Sequence, residues 1–247
     1  MNQVQSRFKE LREQKRKAFI PYIMGGYPEL GSTVTLIKLL ADCGADFIEV
    51  GVPFSDPLAD GPVIQQAAVQ SLKNGCTLAI LLGSLKEATR VIKTPIILMM
   101  YYNMILQRGP ARFFQEIREA GCAGLIIPDL PPDEAGEVRK LAEDYQIGLC
   151  FLTAPTSSEP RIIQAAEAST GFLYAVSLKG VTGVRNELAP ELPAFIRKIT
   201  SLTQKPVAVG FGISTPEQAA TVAKLADGVI IGSAVIKAIM ADSSLAR

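Results

Sequence analysis

Histidine is absent from the 247 residues of the chain. Its absence excludes Ser-His-Asp and Cys-His catalysis and removes the commonest metal ligand of proteins. A general acid or base must therefore be an aspartate, glutamate, tyrosine, lysine or cysteine. An acidic side chain in apolar surroundings becomes the first candidate for proton transfer.

Cysteine is scarce. The four residues of this type, Cys43, Cys76, Cys122 and Cys150, are far apart and form neither a CxxC pair nor a set with metal-ligand spacing. Each lies among apolar or small residues, so we predict buried, reduced thiols. No metal site is expected.

Net charge is nearly absent too. A formal charge of +1 gives no general attraction to nucleic acid or to an anionic membrane. Basic residues at positions 7–17 alternate with Glu10 and Glu13, which predicts a solvated helix face. The N-terminus has no apolar signal core, and no apolar run reaches about 20 residues. We expect a cytoplasmic protein, or a plastid protein if a transit peptide has been removed.

About eight apolar runs, each followed by a helical pattern, fit the strand-helix units of a (β/α)8 TIM barrel. A doubly wound open sheet is the alternative, but no GxGxxG follows the first run. Without a linker or a composition shift, we predict one domain over residues 1–247 rather than two small ones. An extra N-terminal helix covers residues 4–16, and the C-terminal end is short. The predicted strands are 19–24, 47–52, 95–102, 123–127, 148–153, 171–177, 206–211 and 228–231.

The second predicted strand carries an acid, Glu49, in an apolar run that suits a strand buried on both faces. Phe47, Glu49 and Gly51 share one face, and the small Gly51 fits the crowded barrel interior. We infer that Glu49 points into the barrel near its mouth. It is either a hydrogen-bonded structural acid or a working one, because a buried carboxylate is otherwise costly. Asp60 lies in the turn-rich loop that follows.

Glycine-rich turns follow the sixth, seventh and eighth strands, at residues 179–183, 210–214 and 232–234. Such loops often bind phosphate through backbone N–H groups and a helix N-terminus. Ser233 is expected to cap the last helix, residues 233–240, and to donate its hydroxyl. Strand alternation places an apolar and aromatic set around the mouth, for which plain barrel core is the other interpretation: Tyr22, Met99, Tyr101, Ile126, Leu152, Tyr174 and Phe211. Together these features suggest a planar apolar substrate with a phosphate tail.

The motifs FIEVGVPFSDPLADGPVIQQA, GVTG and VGFGIS resemble the α subunit of tryptophan synthase, over nearly the whole chain. The resemblance implies a (β/α)8 barrel that cleaves indole-3-glycerol phosphate to indole and glyceraldehyde 3-phosphate, without a cofactor. It also implies a β-subunit partner in an α2β2 assembly. Carried over by motif, Glu49 resembles the acid/base of the family and Asp60 its second catalytic acid. Thr182 and Gly183 match its mobile loop, and Tyr174 matches the tyrosine beside the acids. Gly183, Gly212, Gly232 and Ser233 resemble its phosphate site.

Four alternatives stay open. The chain is a subunit that works with a β partner, or a stand-alone relative that releases free indole. A barrel that has lost catalysis and only binds partners is less consistent with the retained Glu49 and Asp60. Other phosphate-binding barrel isomerases would leave the GVPFSDPLADGP loop unexplained.

Overall fold

The computed structural model describes residues 1–176, 190–210 and 212–242. Nine strands and eleven helices follow one another along these residues. The strands are β1 (Ala18–Met24), β2 (Ile48–Gly51), β3 (Ile96–Met99), β4 (Gly124–Ile126), β5 (Gly148–Cys150), β6 (Leu152–Thr153), β7 (Leu173–Val176), β8 (Val207–Gly210) and β9 (Gly228–Ile231). The helices are α1 (Gln3–Glu13), α2 (Ser32–Asp42), α3 (Pro62–Lys73), α4 (Leu78–Ala88), α5 (Tyr102–Arg108), α6 (Pro110–Glu119), α7 (Gly136–Asp144), α8 (Glu159–Ala168), α9 (Leu192–Leu202), α10 (Pro216–Ala223) and α11 (Ser233–Ala241).

All strand pairs are parallel, and the sheet order is β5-β4-β3-β2-β1-β9-β8-β7-β6. β5 and β6 are successive pieces of one strand position, interrupted at Phe151. The Leu149 carbonyl accepts a hydrogen bond from Gly171 N (2.8 Å), and the Phe151 carbonyl accepts one from Tyr174 N (2.9 Å). The sheet therefore closes on itself with eight positions, as in a TIM barrel. The predicted (β/α)8 barrel is confirmed, and the open sheet is wrong; the single domain over residues 1–247 stays a prediction.

The extra N-terminal helix is confirmed, and it closes the amino-terminal end of the barrel. Its side chains Val4, Phe8 and Leu11 are buried. The Phe8 ring stacks on Phe47 with centroids 4.9 Å apart and lies 5.6 Å from the ring of Phe172. Because α1 fills this end with apolar groups, the carboxyl end of the strands is the face left for a site.

Asp46 anchors α1 to the barrel. It is 1% exposed, and its carboxylate binds Arg7 at 2.7 Å, Arg16 at 3.4 Å and the backbone N–H of Phe19 at 3.0 Å. A buried carboxylate requires such partners. Two residues of the predicted basic face therefore also hold Asp46, although neither is buried: Arg7 is half-buried and Arg16 is exposed.

Two local predictions failed at helix starts. The third strand was expected at 95–102, but it ends at Met99 and α5 begins at Tyr102. The backbone N–H of Tyr102 donates to the Asp129 carboxylate at 2.9 Å, so a side chain from the next loop of the barrel holds this helix N-terminus. Ser233 does not cap α11; Gly232 takes the N-cap position and makes no side-chain bond.

The thiols also differ from expectation at one position. Cys76, Cys122 and Cys150 are buried, but Cys43 is exposed because it follows the last turn of α2 at the surface. Among the described residues no group of His, Cys, Asp and Glu is arranged to hold a metal ion. In the same part of the chain, no helix combines the length and apolar character needed to cross a membrane.

Candidate active site

Glu49 lies on β2 inside the barrel and is 1% exposed. Neither carboxyl oxygen has a hydrogen-bond partner among the described residues. Burial, and secondly the charge of Asp60, raises the pKa of Glu49 from its ordinary 4.5 to about 8. This side chain therefore holds its proton at neutral pH and can donate it. Within the described residues, Glu49 is not the hydrogen-bonded structural acid of the alternative interpretation.

Asp60 stands in the loop between β2 and α3, held by Tyr101. The Tyr101 hydroxyl donates to the Asp60 carboxylate at 3.1 Å and accepts from Ala59 N at 3.0 Å. The ring of Phe54 lies against Tyr101 with centroids 5.1 Å apart. Burial raises the pKa of Asp60, while the hydrogen bond from Tyr101 opposes that shift. Tyr101, predicted only as pocket lining, thus fixes the position of the second acid.

Two further tyrosines lie in the barrel interior near these acids, each beside a glycine. An added Cβ at Gly51 would stand 2.0 Å from the Tyr22 hydroxyl, and one at Gly210 would stand 2.4 Å from the Tyr174 hydroxyl. Burial is the main cause that raises the pKa of both phenols, and the nearby acids add to it. Both hydroxyls therefore stay protonated. The role of Gly210 was missed, because its partner Tyr174 is distant in sequence.

The described residues include only part of the expected phosphate-binding site. Gly232 lies next to Tyr22, since its Cβ would stand 3.6 Å from the Tyr22 Cβ, so the N-terminus of α11 faces the mouth. Ser233 is the exposed first residue of that helix. Gly212 has a φ of +78° in the turn after β8, the strand that pairs with β9. Thr182, Gly183 and Phe211 lie outside the described residues.

The apolar lining agrees with strand alternation. Met99 and Ile126 are in register with Gly51, and Leu152 is in register with Tyr174. Cys150, in register with Ile126, is a further lining residue that the sequence does not reveal, because a cysteine in an apolar run predicts only a buried thiol. Phe54 was missed because loop residues have no period from which a facing side can be inferred.

The model of the family described as tryptophan synthase alpha chain matches residues 8–246. This chain belongs to the tryptophan synthase alpha chain family. Curated relatives with that name include a protein of Rippkaea orientalis, 47% identical over 96% of this chain and 89% of its own length. A plant relative from Arabidopsis thaliana is 46% identical over 93% of this chain and 84% of its own length.

Solved structures agree. The chain is similar to a tryptophan synthase structure from M. tuberculosis, described as the aminoacrylate-bound form, with a TM-score of 0.90 and 33% identity over 100% of this chain and 95% of that one. It is also similar to the tryptophan synthase alpha chain of Legionella pneumophila subsp. pneumophila, with a TM-score of 0.90 and 37% identity over 99% and 90%.

Family membership establishes the activity. The chain is a carbon-carbon lyase of tryptophan biosynthesis that cleaves indole-3-glycerol phosphate, so the prediction made from its motifs is confirmed. The alternative that the chain is another phosphate-binding barrel isomerase is therefore wrong. The family also implies a small-molecule substrate and a β-subunit partner.

Proposed function

We propose that Glu49 and Asp60 carry out the retro-aldol cleavage of indole-3-glycerol phosphate to indole and glyceraldehyde 3-phosphate. The observation that supports this most is Glu49 itself. It is a buried carboxyl in the barrel mouth without a hydrogen-bond partner among the described residues, and its pKa is raised to about 8. Perturbed, unsatisfied acids of this kind cluster at catalytic sites.

In the proposed reaction Glu49 starts protonated and gives its proton to indole C3. Asp60, ionised, accepts a hydrogen bond from the indole N–H and stabilises the positive charge that spreads over the ring. Glu49, now a carboxylate, takes the proton of the side-chain hydroxyl next to C3. The carbon-carbon bond then breaks, its electron pair restores the indole, and the oxygen becomes the aldehyde. Glu49 ends protonated, as it began.

The phosphate end of the substrate is assigned to the glycine turns on the other side of the mouth. Gly232 and Ser233 begin α11, whose first backbone N–H groups and dipole favour an anion. Gly183 and Gly212 belong to the same proposed site by family motif. The proposed substrate-binding residues are Tyr22, Tyr101 and Tyr174, together with Thr182 and Phe211 by family motif.

The β subunit is proposed to seat on the mouth, in an α2β2 assembly. Leu58, in the loop that carries Asp60, is 91% exposed, and Leu106 of α5 is 51% exposed. Exposed apolar side chains beside a site suit a protein contact. A cytoplasmic location, or a plastid one in a plant, belongs to the same proposal, and nucleic acid and membrane are not proposed partners.

Indole release from indole-3-glycerol phosphate tests the catalytic assignment. Glu49→Gln keeps the shape of the side chain but removes the proton exchange, so we expect turnover to fall by roughly 10²- to 10⁴-fold. Asp60→Asn should also slow turnover strongly, because the amide cannot supply the negative charge. Glu87→Gln, the same change on the exposed face of α4, is the matched control. Unchanged turnover in Glu49→Gln would remove Glu49 from the mechanism.

Adding a β subunit to the same assay separates the subunit from a stand-alone enzyme. The isolated chain should be slow, and the β subunit should accelerate it. Leu58→Ser should weaken the acceleration and leave the rate of the isolated chain unchanged. Fast turnover that ignores the β subunit would instead support free indole release.

A further inference from the structure

The Tyr22 hydroxyl lies directly on the mouth side of Glu49. Tyr22 and Glu49 are paired across β1 and β2. The Tyr22 ring extends along β2, since its hydroxyl lies 2.0 Å from the point where a Cβ of residue 51 would stand. Residues 49 and 51 share one face of the strand, roughly 6.6 Å apart. The hydroxyl therefore lies between the level of Glu49 and the mouth.

The ring is held in place on two sides. Gly51 leaves a notch in β2 that the phenol fills, and Gly232 approaches from the start of α11, with its Cβ position 3.6 Å from the Tyr22 Cβ. Tyr22 is only 5% exposed. The hydroxyl is therefore positioned before a ligand enters, which is what an effective donor in an active site requires.

The proton of this hydroxyl is not committed to a protein acceptor. Tyr101 differs, because its hydroxyl already donates to Asp60 and accepts from Ala59 N. The Tyr22 hydroxyl makes no hydrogen bond to a protein acceptor among the described residues. Burial, then Asp60 and Glu49, raises the pKa of Tyr22 well above its ordinary value, so the group is a donor throughout the working pH range.

We propose that the Tyr22 hydroxyl donates a hydrogen bond to the substrate oxygen that becomes the aldehyde oxygen, and so directs the proton of that oxygen toward Glu49. The proposal rests on the proposed retro-aldol reaction. Tyr22 keeps its own proton throughout, and the proton balance stays with Glu49. The bond strengthens as the oxygen loses its proton and gains negative charge, so it acts mainly on the transition state.

Tyr22→Phe tests this role, because it removes the hydroxyl and keeps the ring in its notch. We expect kcat to fall roughly five- to tenfold and KM to rise no more than about threefold. The ionisation in the pH profile that belongs to Glu49 should not move. Tyr145→Phe, the same change in the outer helix layer, where Tyr145 packs on Phe114, should behave as the unmodified chain.

A binding measurement separates contact with this oxygen from simple pocket filling. In the Glu49→Gln background, calorimetry compares indole-3-glycerol phosphate with an indol-3-yl propyl phosphate that lacks the side-chain hydroxyls. Adding Tyr22→Phe should weaken only the first ligand, by about two- to threefold. Equal weakening of both ligands, a displaced Glu49 ionisation, or unchanged turnover in Tyr22→Phe would each overturn the proposal.

The two proposals fail in different ways. If Glu49→Gln turns over as fast as the unmodified chain, the proposed catalytic assignment is wrong and the role of Tyr22 falls with it. If the unmodified chain and Tyr22→Phe turn over alike, the role of Tyr22 alone is wrong.

Discussion

A buried acid whose oxygens have no partner among the described residues costs folding free energy, and at Glu49 that cost depends on pH. Between its ordinary pKa of 4.5 and about 8, Glu49 is ionised in the unfolded chain but protonated in the folded one. Unfolding therefore releases a proton in this range, and rising pH favours the unfolded state. The contribution of Glu49 to stability is most favourable below pH 4.5 and is lost as the pH rises through about 8.

Glu49→Gln should remove this dependence, because glutamine does not titrate. Relative to the unmodified chain, the free energy of unfolding of the variant should rise between pH 5 and pH 8, by up to about 1.4 kcal/mol per pH unit. Urea unfolding of both proteins at the two pH values measures the difference. Asp60 titrates in both proteins, so its contribution to the pH dependence largely cancels in the difference. Parallel stability curves would contradict the raised pKa.

Tyr101→Phe should alter the ionisation of Asp60 and also the position of its loop. The hydrogen bond from Tyr101 lowers the pKa of Asp60, so its loss should raise that pKa. Since the reaction needs ionised Asp60, the acidic limb of the profile of kcat/KM against pH should move to higher pH. Stability should fall by about 1 kcal/mol. With Tyr145→Phe as control, an acidic limb that stays in place would show that Tyr101 does not govern Asp60.

At the level of residues, the sequence was informative where the signal is local. The alternation of Phe47, Glu49 and Gly51 predicted that Glu49 points inward, and the structure places it there. The bond between Tyr101 and Asp60 was not predictable, because it joins a loop to the end of a neighbouring strand 41 residues away. The same holds for the contact between Gly210 and Tyr174, which can be recognised only once the register of β7 and β8 is known.

At the level of elements, the sequence pattern predicted the bounds of those helices and strands whose ends are set by residues within the segment itself. The predicted bounds of β9 and α8 agree with the structure. α5 was missed because the group that holds its N-terminus, Asp129, comes from a different loop. The strand predicted at 148–153 splits at Phe151, where its pairing partner changes from β4 to β7. Both failures reflect tertiary contacts that outweigh local preference.

Helix α1 provides a test at this scale, because Asp46 is the buried group that ties it to the barrel. Asp46→Ala should leave Arg7 without its buried partner and lower the free energy of unfolding by about 3 kcal/mol. Urea unfolding measures the loss, and kcat should change little because Asp46 precedes β2 and its carboxylate binds Arg7 of α1 rather than a group at the mouth. Glu10→Ala, which removes only the exposed partner of Arg7, should cost less than about 1 kcal/mol. Equal costs would contradict the anchoring role.

At the level of the whole molecule, closure of the barrel could be predicted from the repeat of strands and helices, but the closing contacts could not. β5 and β6 share one position, and two backbone hydrogen bonds from the following segment complete the ring. The site depends on this closure, because Glu49 and Tyr22 come from β2 and β1, while Tyr174 comes from β7 on the far side. No single strand of the barrel supplies the whole site.

The closure of the amino-terminal end of the barrel by α1 has a consequence for synthesis on the ribosome. Asn2 donates to the Thr170 carbonyl, 168 residues later, and Phe8 packs on Phe172. At roughly 5–20 residues per second, these partners emerge about 10 to 30 seconds after α1 does. During that interval the apolar stripe of the helix has no completed barrel to cover it. Helix α1 is thus translated early but buried late, and the nascent chain offers that stripe to chaperones or to aggregation in the meantime.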